Sequence, residues 1–236
     1  MTISSVTSTV GAEPARPLSE LVAEWISGWV VSRAASEPVA RPWGWTIDVG
    51  LPNQVARHVI VDADAGSVRD AARHAVADGW WLKVFLPAPH EGPEELVGAW
   101  LGAGWAFDDA GFLMSVDLKP VATGPLPPGY ELRTWTRGGL VRVMVVAPDG
   151  ALAARGQAGL SGDVAVPDQI QTEPAHRRRG LGSAVMHALQ QRAHAAGATR
   201  AVLGATTEGR ALYESLGWRT NTAFASAYRV GPNSQH

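Results

Sequence analysis

Apolar residues recur along this chain with two alternating periods. From Leu18 to Arg33 they fall at helical spacing, with Leu21, Trp25 and Trp29 on one stripe and Val22, Ile26 and Val30 beside it, which predicts a helix. Shorter runs then predict strands at 43–49 (WGWTIDV) and 58–62 (HVIVD), a helix at 67–77, a strand at 80–86 (WWLKVFL), a helix at 93–101 and a strand at 111–118 (GFLMSVDL). After residue 129 the pattern resumes with strands at 130–135 and 140–148, then ALAARGQAGL and VPDQIQTEP (166–174). A long helix follows at 180–196, with Leu181, Val185 and Leu189 on one stripe and Gly197 placed to cap it. A strand at 200–206, a helix at 209–216 and a strand at 224–230 complete the series. Strands alternating with helices predict an α/β layered fold.

Between the two series lies KPVATGPLPPG (119–129), dense in Pro and Gly, which reads as a linker or an extended crossing segment. It divides the expected organisation into a disordered tail at 1–17, an N-terminal α/β domain at 18–118, the linker, and a second domain at 130–231. The two series echo each other at their ends. EELVGAWLGAGWAFDDAGFLMSVDL (94–118) lies over EGRALYESLGWRTNTAFASAYRV (208–230), with Gly104-Trp105 facing Gly217-Trp218 and Trp100 facing Tyr213. Such self-similarity suggests a duplicated unit. Two independent units, each ending in a helix, a glycine cap and an edge strand, would give the same echo.

Composition removes several function classes. The 236 residues are 46% hydrophobic and 18% charged, enough for a substantial core. Cysteine is absent, which excludes disulfides, thiolate metal sites and an acyl-cysteine intermediate. No run of about 18 apolar residues occurs, and the Ser/Thr-rich start has neither a basic beginning nor an apolar core of signal length. A cytoplasmic protein without a membrane partner is therefore expected. Charge is lopsided, with 8 basic against 15 acidic residues up to residue 120 and 12 against 7 beyond it. No broad basic patch with interleaved aromatics is present, so nucleic acid is not expected as a partner. His187 and His194 lie seven apart without a metal-binding cluster, and no metal is expected.

The chemistry concentrates in IQTEPAHRRRGLGSAVMHAL (170–189), where a strand ends at Pro174, a basic turn follows and glycines open a helix. The first turn of a helix carries unpaired N–H groups and the positive end of the helix dipole, a natural seat for pyrophosphate. Gly180 and Gly182 keep side chains out of that seat, and Arg177, Arg178 and Arg179 add charge around it. Neither GxxxxGK[ST] nor a strand-borne GxGxxG is present.

The remaining pattern, Arg177-x-x-Gly180-x-Gly182, resembles the acyl-CoA motif of the GNAT superfamily of N-acetyltransferases. Leu212-Tyr213-Glu214-Ser215-Leu216-Gly217-Trp218, about thirty residues on, resembles the family's LYExLGF signature. The resemblance implies a GNAT fold, a mixed central β-sheet flanked by helices, here preceded by a degenerate GNAT-like half similar to that of tandem GNAT enzymes. It implies acetyl-CoA as co-substrate and direct attack of an amine in a ternary complex. Ile170, Gln171 and Thr172 would hold the pantetheine arm. Arg177 to Arg179, Gly180, Leu181, Gly182 and Ser183 would seat the pyrophosphate. Thr206 stands where many relatives have a cofactor-contacting asparagine.

Tyr213 matches the family tyrosine and is the candidate acid for the departing thiolate, or else an aromatic packing on the sheet. Glu173 is the first candidate base and Asp168 the second; either can equally be a solvated strand-end carboxylate, with water taking the proton. The usual pair of helices after the first strand is missing from the second half, so the N-terminal half is the expected source of the acceptor wall. A small-molecule primary amine is the leading acceptor, with a protein N-terminus or lysine, or a non-catalytic acyl-CoA sensor, as alternatives. A homodimer stays open.

Overall fold

The computed structural model describes residues 16–230 apart from 88, 89, 91 and 123, so most of the expected tail lies outside the described residues. In chain order its elements are α1 (Leu18–Arg33), β1 (Val39–Arg41), β2 (Gly44–Leu51), β3 (Gln54–Ile60), α2 (Ala65–His74), β4 (Trp80–Phe85), α3 (Pro93–Leu101), β5 (Trp105–Phe107) and β6 (Gly111–Asp117). Then come β7 (Glu131–Arg137), β8 (Leu140–Val146), β9 (Leu152–Ser161), β10 (Val164–Thr172), α4 (Leu181–Ala195), β11 (Arg200–Thr206), α5 (Thr207–Ser215) and β12 (Arg219–Arg229). Pattern-based expectations match these except for β1 and β5, each three residues long and too short to show a period. This is the mixed α/β sheet, flanked by helices, that the family resemblance implies.

All twelve strands form one sheet in the order β1-β2-β3-β4-β12-β6-β11-β10-β9-β8-β7, with β5 pairing β12. The sheet is not divided at residues 119–129. β6, which precedes that segment, pairs antiparallel with β11, while β12, the last strand, pairs antiparallel with β4. Each half thus lends its final strand to the other, and β6 and β12 meet antiparallel at the centre. The pairings repeat outward from there. β4 and β3 are parallel and bridged by α2, as β11 and β10 are parallel and bridged by α4. The sequence echo of 94–118 over 208–230 therefore has a topological counterpart.

Alternation along the strands separates the two faces. On one face α4 and α5 pack over Val143, Ala165, Ala201 and Leu203, and the α2–α3 side packs over Ile60, Leu82, Val84 and Ala225. The other face belongs to α1, whose Trp25, Ile26 and Trp29 pack with Ile47, Val59, Phe85, Val164, Val166, Val202 and Phe224. Strands from both halves thereby share one core with a single helix. Trp45 of β2 and Ser161 of β9, far apart in the sheet order, line the same groove beside α1. The sheet curls around this helix, which explains why apolar residues ring α1 almost completely.

Two glycines allow α1 to lie so deep. A Cβ on Gly159 of β9 would overlap the Gly28 carbonyl oxygen, and one on Gly28 would overlap the Val166 side chain and the Gly159 carbonyl. The helix backbone rests directly on the strand backbone. The missing helices of the second half have no room to form, because β7 turns into β8 through Gly138 and Gly139 alone. α1 covers the face they would have covered. Among the described residues no helix is long and apolar enough to cross a membrane.

Two consequences for stability are open to measurement. Gly159→Ala forces the α1 and β9 backbones apart and is expected to cost about 1–3 kcal/mol in urea denaturation, the usual cost of overpacking a filled core; an unchanged midpoint would refute the close contact. His58, 2% exposed and bonded through Nδ1 to Thr46 Oγ1 at 2.8 Å, has its pKa pushed down to about 4, chiefly by burial and then by His74 and Arg41. Its folded pKa lies below its ordinary value near 6.5, so its contribution is complete above pH 6.5 and is lost as pH falls toward 4. Thermal midpoints between those limits should fall faster for the native chain than for His58→Phe, by up to roughly 1.4 kcal/mol per pH unit.

Candidate active site

β10 carries an interruption that organises everything around it. Asp168 pairs with Gln157 of β9, yet Gln171 pairs with Arg155, so one extra residue is accommodated between them, and Gln169 takes a positive φ of 55°. One inserted residue reverses the alternation of faces. Asp168 accordingly points to the α1 side, where it meets Ser32 and Arg33, whereas Ile170 points to α4. Gly156 of β9 makes space for that turn, since a Cβ there would collide with Ile170, Val185 and Leu189.

The same strand separates from β11. These parallel strands pair only at Val164–Arg200 and Ala165–Ala201. Beyond that point the β11-facing backbone groups of β10, including those of Ile170 to Thr172, have no strand partner, and an opening lies between the two strands. The corresponding parallel pair in the other half, β3 and β4, stays in register over five residue pairs, from Ala56–Trp80 to Ile60–Val84. One pair is open; its counterpart is closed.

Past the opening the chain makes a short 3-10 turn at Pro174–His176 and reaches α4 through Arg177, Arg178 and Arg179, all exposed. Arg178 and Gly180 both have positive φ, 60° and 77°, a conformation that costs glycine nothing and turns the following amides outward. No side chain caps α4, and a Cβ at Gly180 would meet only open space. His176 is held aside by Tyr130, whose hydroxyl lies 2.9 Å from Nδ1. Again the counterpart differs, because α2 begins at Asp64, whose carboxylate accepts from the Ser67 amide at 2.7 Å in a reciprocal capping box. There the helix N-terminus is occupied by the protein's own negative charge, and here it is left free for a ligand's.

Tyr213, on α5, is 8% exposed, with its ring against Gly209 and 6.1 Å from the ring of Trp218. Burial, helped by the Asp168 charge, pushes its pKa up to about 12. It therefore stays a protonated donor throughout the ordinary pH range, and among the described residues its hydroxyl has no hydrogen-bond partner. Thr206 caps α5, its Oγ1 accepting from the Gly209 amide at 3.1 Å. Glu173 ends β10, half-buried; its amide donates to the Ala153 carbonyl at 2.9 Å, and its carboxylate makes no ion pair among the described residues. Asp168, the second candidate base, is engaged by Arg33 at 2.5 and 2.9 Å and by Ser32 Oγ at 2.9 Å. With Ser32 and the Arg33 guanidinium on its oxygens, Asp168 ties α1 to the bulge.

That tie belongs to a larger cluster that periodicity alone passed over. Arg57 of β3, 7% exposed, stacks on Trp29 at 4.4 Å and has a buried Nε without a partner. Burial, with Arg33 nearby, pushes its pKa down to about 10. Lys83 of β4 lies 4.1 Å from the ring centre of Phe224 and 5.6 Å from that of Trp25, and burial lowers its pKa well below the lysine range. Both feel the charges of Asp168 and Asp108. The available signal was a cation at a core-facing position of a strand, Lys83 between Trp81 and Phe85, and Arg57 two residues before Val59. Among the described residues no group of three or more His, Asp or Glu side chains is placed to hold a metal ion.

Comparison with known proteins gives one family match and a set of structures of similar fold. Residues 138–220 match the family model of the acetyltransferase (GNAT) domain. Solved structures of similar fold include a GCN5-related N-acetyltransferase from Kribbella flavida, 15% identical with a TM-score of 0.59, covering 92% of this chain and 97% of that one. A GNAT-family protein from Novosphingobium aromaticivorans is 20% identical with a TM-score of 0.56, covering 92% of this chain and 100% of that one. A search of curated protein sequences returns no match.

The free α4 N-terminus can be tested directly. Gly180→Glu places bulk and negative charge on it, and coenzyme A affinity measured by calorimetry should fall by about 10–100-fold, the scale of one or two lost charge-assisted hydrogen bonds. Unchanged affinity in a variant whose melting curve shows it folded would remove the anion seat.

Proposed function

We propose that this chain, which carries a GNAT acetyltransferase domain over residues 138–220 within a GNAT fold, moves an acetyl group from acetyl-CoA to the primary amine of a small molecule by direct attack in a ternary complex. The observation that carries the reading is the asymmetry between the two related halves. One half keeps an opened parallel strand pair beside an uncapped helix, and the other closes both.

Acetyl-CoA would supply an activated carbonyl and a good leaving group. On the protein side, the amides of Leu181 to Ser183 receive the pyrophosphate, with Arg177 to Arg179 supplying charge. The unpaired backbone of Ile170, Gln171 and Thr172 aligns the pantetheine arm as an added strand would be aligned. The same backbone is placed to hold the oxygen on which charge develops. As the amine nitrogen bonds to the carbonyl carbon, the carbon–sulfur bond breaks and the sulfur takes a proton from Tyr213. Its raised pKa keeps that proton available at any working pH. The amine's surplus proton leaves to Glu173 or to water. With no cysteine in the chain, an acyl-cysteine route is closed.

Tyr213→Phe should lower turnover, read as thiol release at saturating acetyl-CoA, by about 10–1000-fold. Acetyl-CoA affinity by calorimetry should stay close to that of the native chain. Full turnover in the phenylalanine variant would exclude the phenol as the acid.

A further inference from the structure

On the α1 face, next to the bulge, three cations converge from three elements: Arg33 from α1, Arg57 from β3 and Lys83 from β4. Two carboxylates act on the same region, Asp168 from β10 and Asp108 between β5 and β6. Asp168 is taken up by Arg33 through both guanidinium contacts. Arg57 and Lys83 then share the field of Asp108, and neither has an ion pair among the described residues. Arg57 in particular keeps a buried Nε without a partner.

Aromatic rings do not supply a partner. Trp29 under Arg57 and Phe224 and Trp25 around Lys83 offer cation–π contact, which offsets part of the desolvation cost without neutralising either group. An unpaired Nε on an arginine that is 7% exposed is a rarity that calls for a partner. Basic groups held against aromatic rings without an ion pair are suited to receive an anion, as a guanidinium fork receives a carboxylate.

We propose that Arg57 and Lys83 form the specificity site for the acceptor, binding a carboxylate carried by the amine substrate. The proposal rests on the transferase reading above and narrows it to amino acids and related amino carboxylates. Three points favour it. Asp168, which borders the cluster through Arg33, is immediately followed by the bulged Gln169, so an anion held here sits beside the opening between β10 and β11. Arg57 presents a guanidinium whose Nε is unpartnered, a donor suited to a planar carboxylate. Finally, the cluster lies on the face opposite α4, so an acceptor fixed there would reach the strand opening from the side away from the pyrophosphate seat.

Thiol release from acetyl-CoA measured with matched pairs of free amino acids and their C-terminal amides tests the assignment. The acids should exceed the amides by about 10–100-fold in kcat/KM, the scale of a hydrogen bond to a charged group. Arg57→Gln and Lys83→Gln should each raise KM for the acid while leaving kcat, KM for the amide and acetyl-CoA affinity nearly unchanged; preserved acetyl-CoA affinity also shows that the variants fold. Equal use of acids and amides by the native chain overturns the carboxylate site and leaves the transferase reading standing. If no amine of either kind releases thiol, the transferase reading fails, and the anion site is decided by sodium acetate titrated at fixed ionic strength against the Arg57 Nε–H resonance. A saturable shift weakened by Lys83→Gln supports the site, and a flat titration overturns it. Inorganic phosphate shifting that resonance where acetate does not would likewise overturn the carboxylate assignment.

Discussion

The contact of the Gly28 backbone with the Gly159 backbone is the constraint on which the rest of this structure depends. It lets α1 sink onto β9 and lets the sheet wrap the helix. A twelve-stranded sheet has two large faces to cover, and four of the five helices lie on one of them. The other face is completed by curvature and by the one helix α1. Because Ile47, Phe85, Val166 and Val202 all close on α1, the packing that stabilises the N-terminal strands also stabilises the strands that build the site. The Arg33–Asp168 pair then fixes the end of α1 at the bulge.

The two parallel strand pairs, β3–β4 and β10–β11, differ in one physical respect, the distribution of unpaired backbone. In the N-terminal pair the strands stay in register over five residue pairs and the Ser67 amide is spent on Asp64. In the C-terminal pair the extra residue at Gln169 diverts the strand, and the helix after it starts without a cap. A folded protein keeps such groups unsatisfied only where something else will satisfy them. From outside the matched range 138–220, α1 contributes Ser32 and Arg33 to the Asp168 contact beside the bulge.

Much of this was legible locally. The helix at 18–33, the long helix with its glycine cap and the strand–turn–helix around Arg177 to Gly182 follow from period and from glycine placement, and the structure has these elements in those places. Kinship of 94–118 with 208–230 was visible too. Which sheet neighbour each final strand would choose was not, because GFLMSVD and AFASAYR carry similar alternation and pairing is a long-range choice. The bulge left no mark either, since Gln169 is neither Gly nor Asn, the residues that usually announce a positive φ. Lys83 and Arg57 were readable as charges within apolar strands. What they face could be known only once α1 was placed against strands more than a hundred residues away in sequence.

The exchange of β6 and β12 also bears on how the protein comes into being. The strand that closes the N-terminal core against β4 follows every other described element along the chain. Until it emerges from the ribosome, Phe85 and Val84 present an open sheet edge, and no earlier stretch of chain can finish that layer. Assembly of that layer is therefore tied to synthesis of residues 219–229, in contrast to proteins whose N-terminal domain settles while the remainder is still being made. During that interval the exposed edge is the natural target for chaperones and for unwanted strand addition by a second chain.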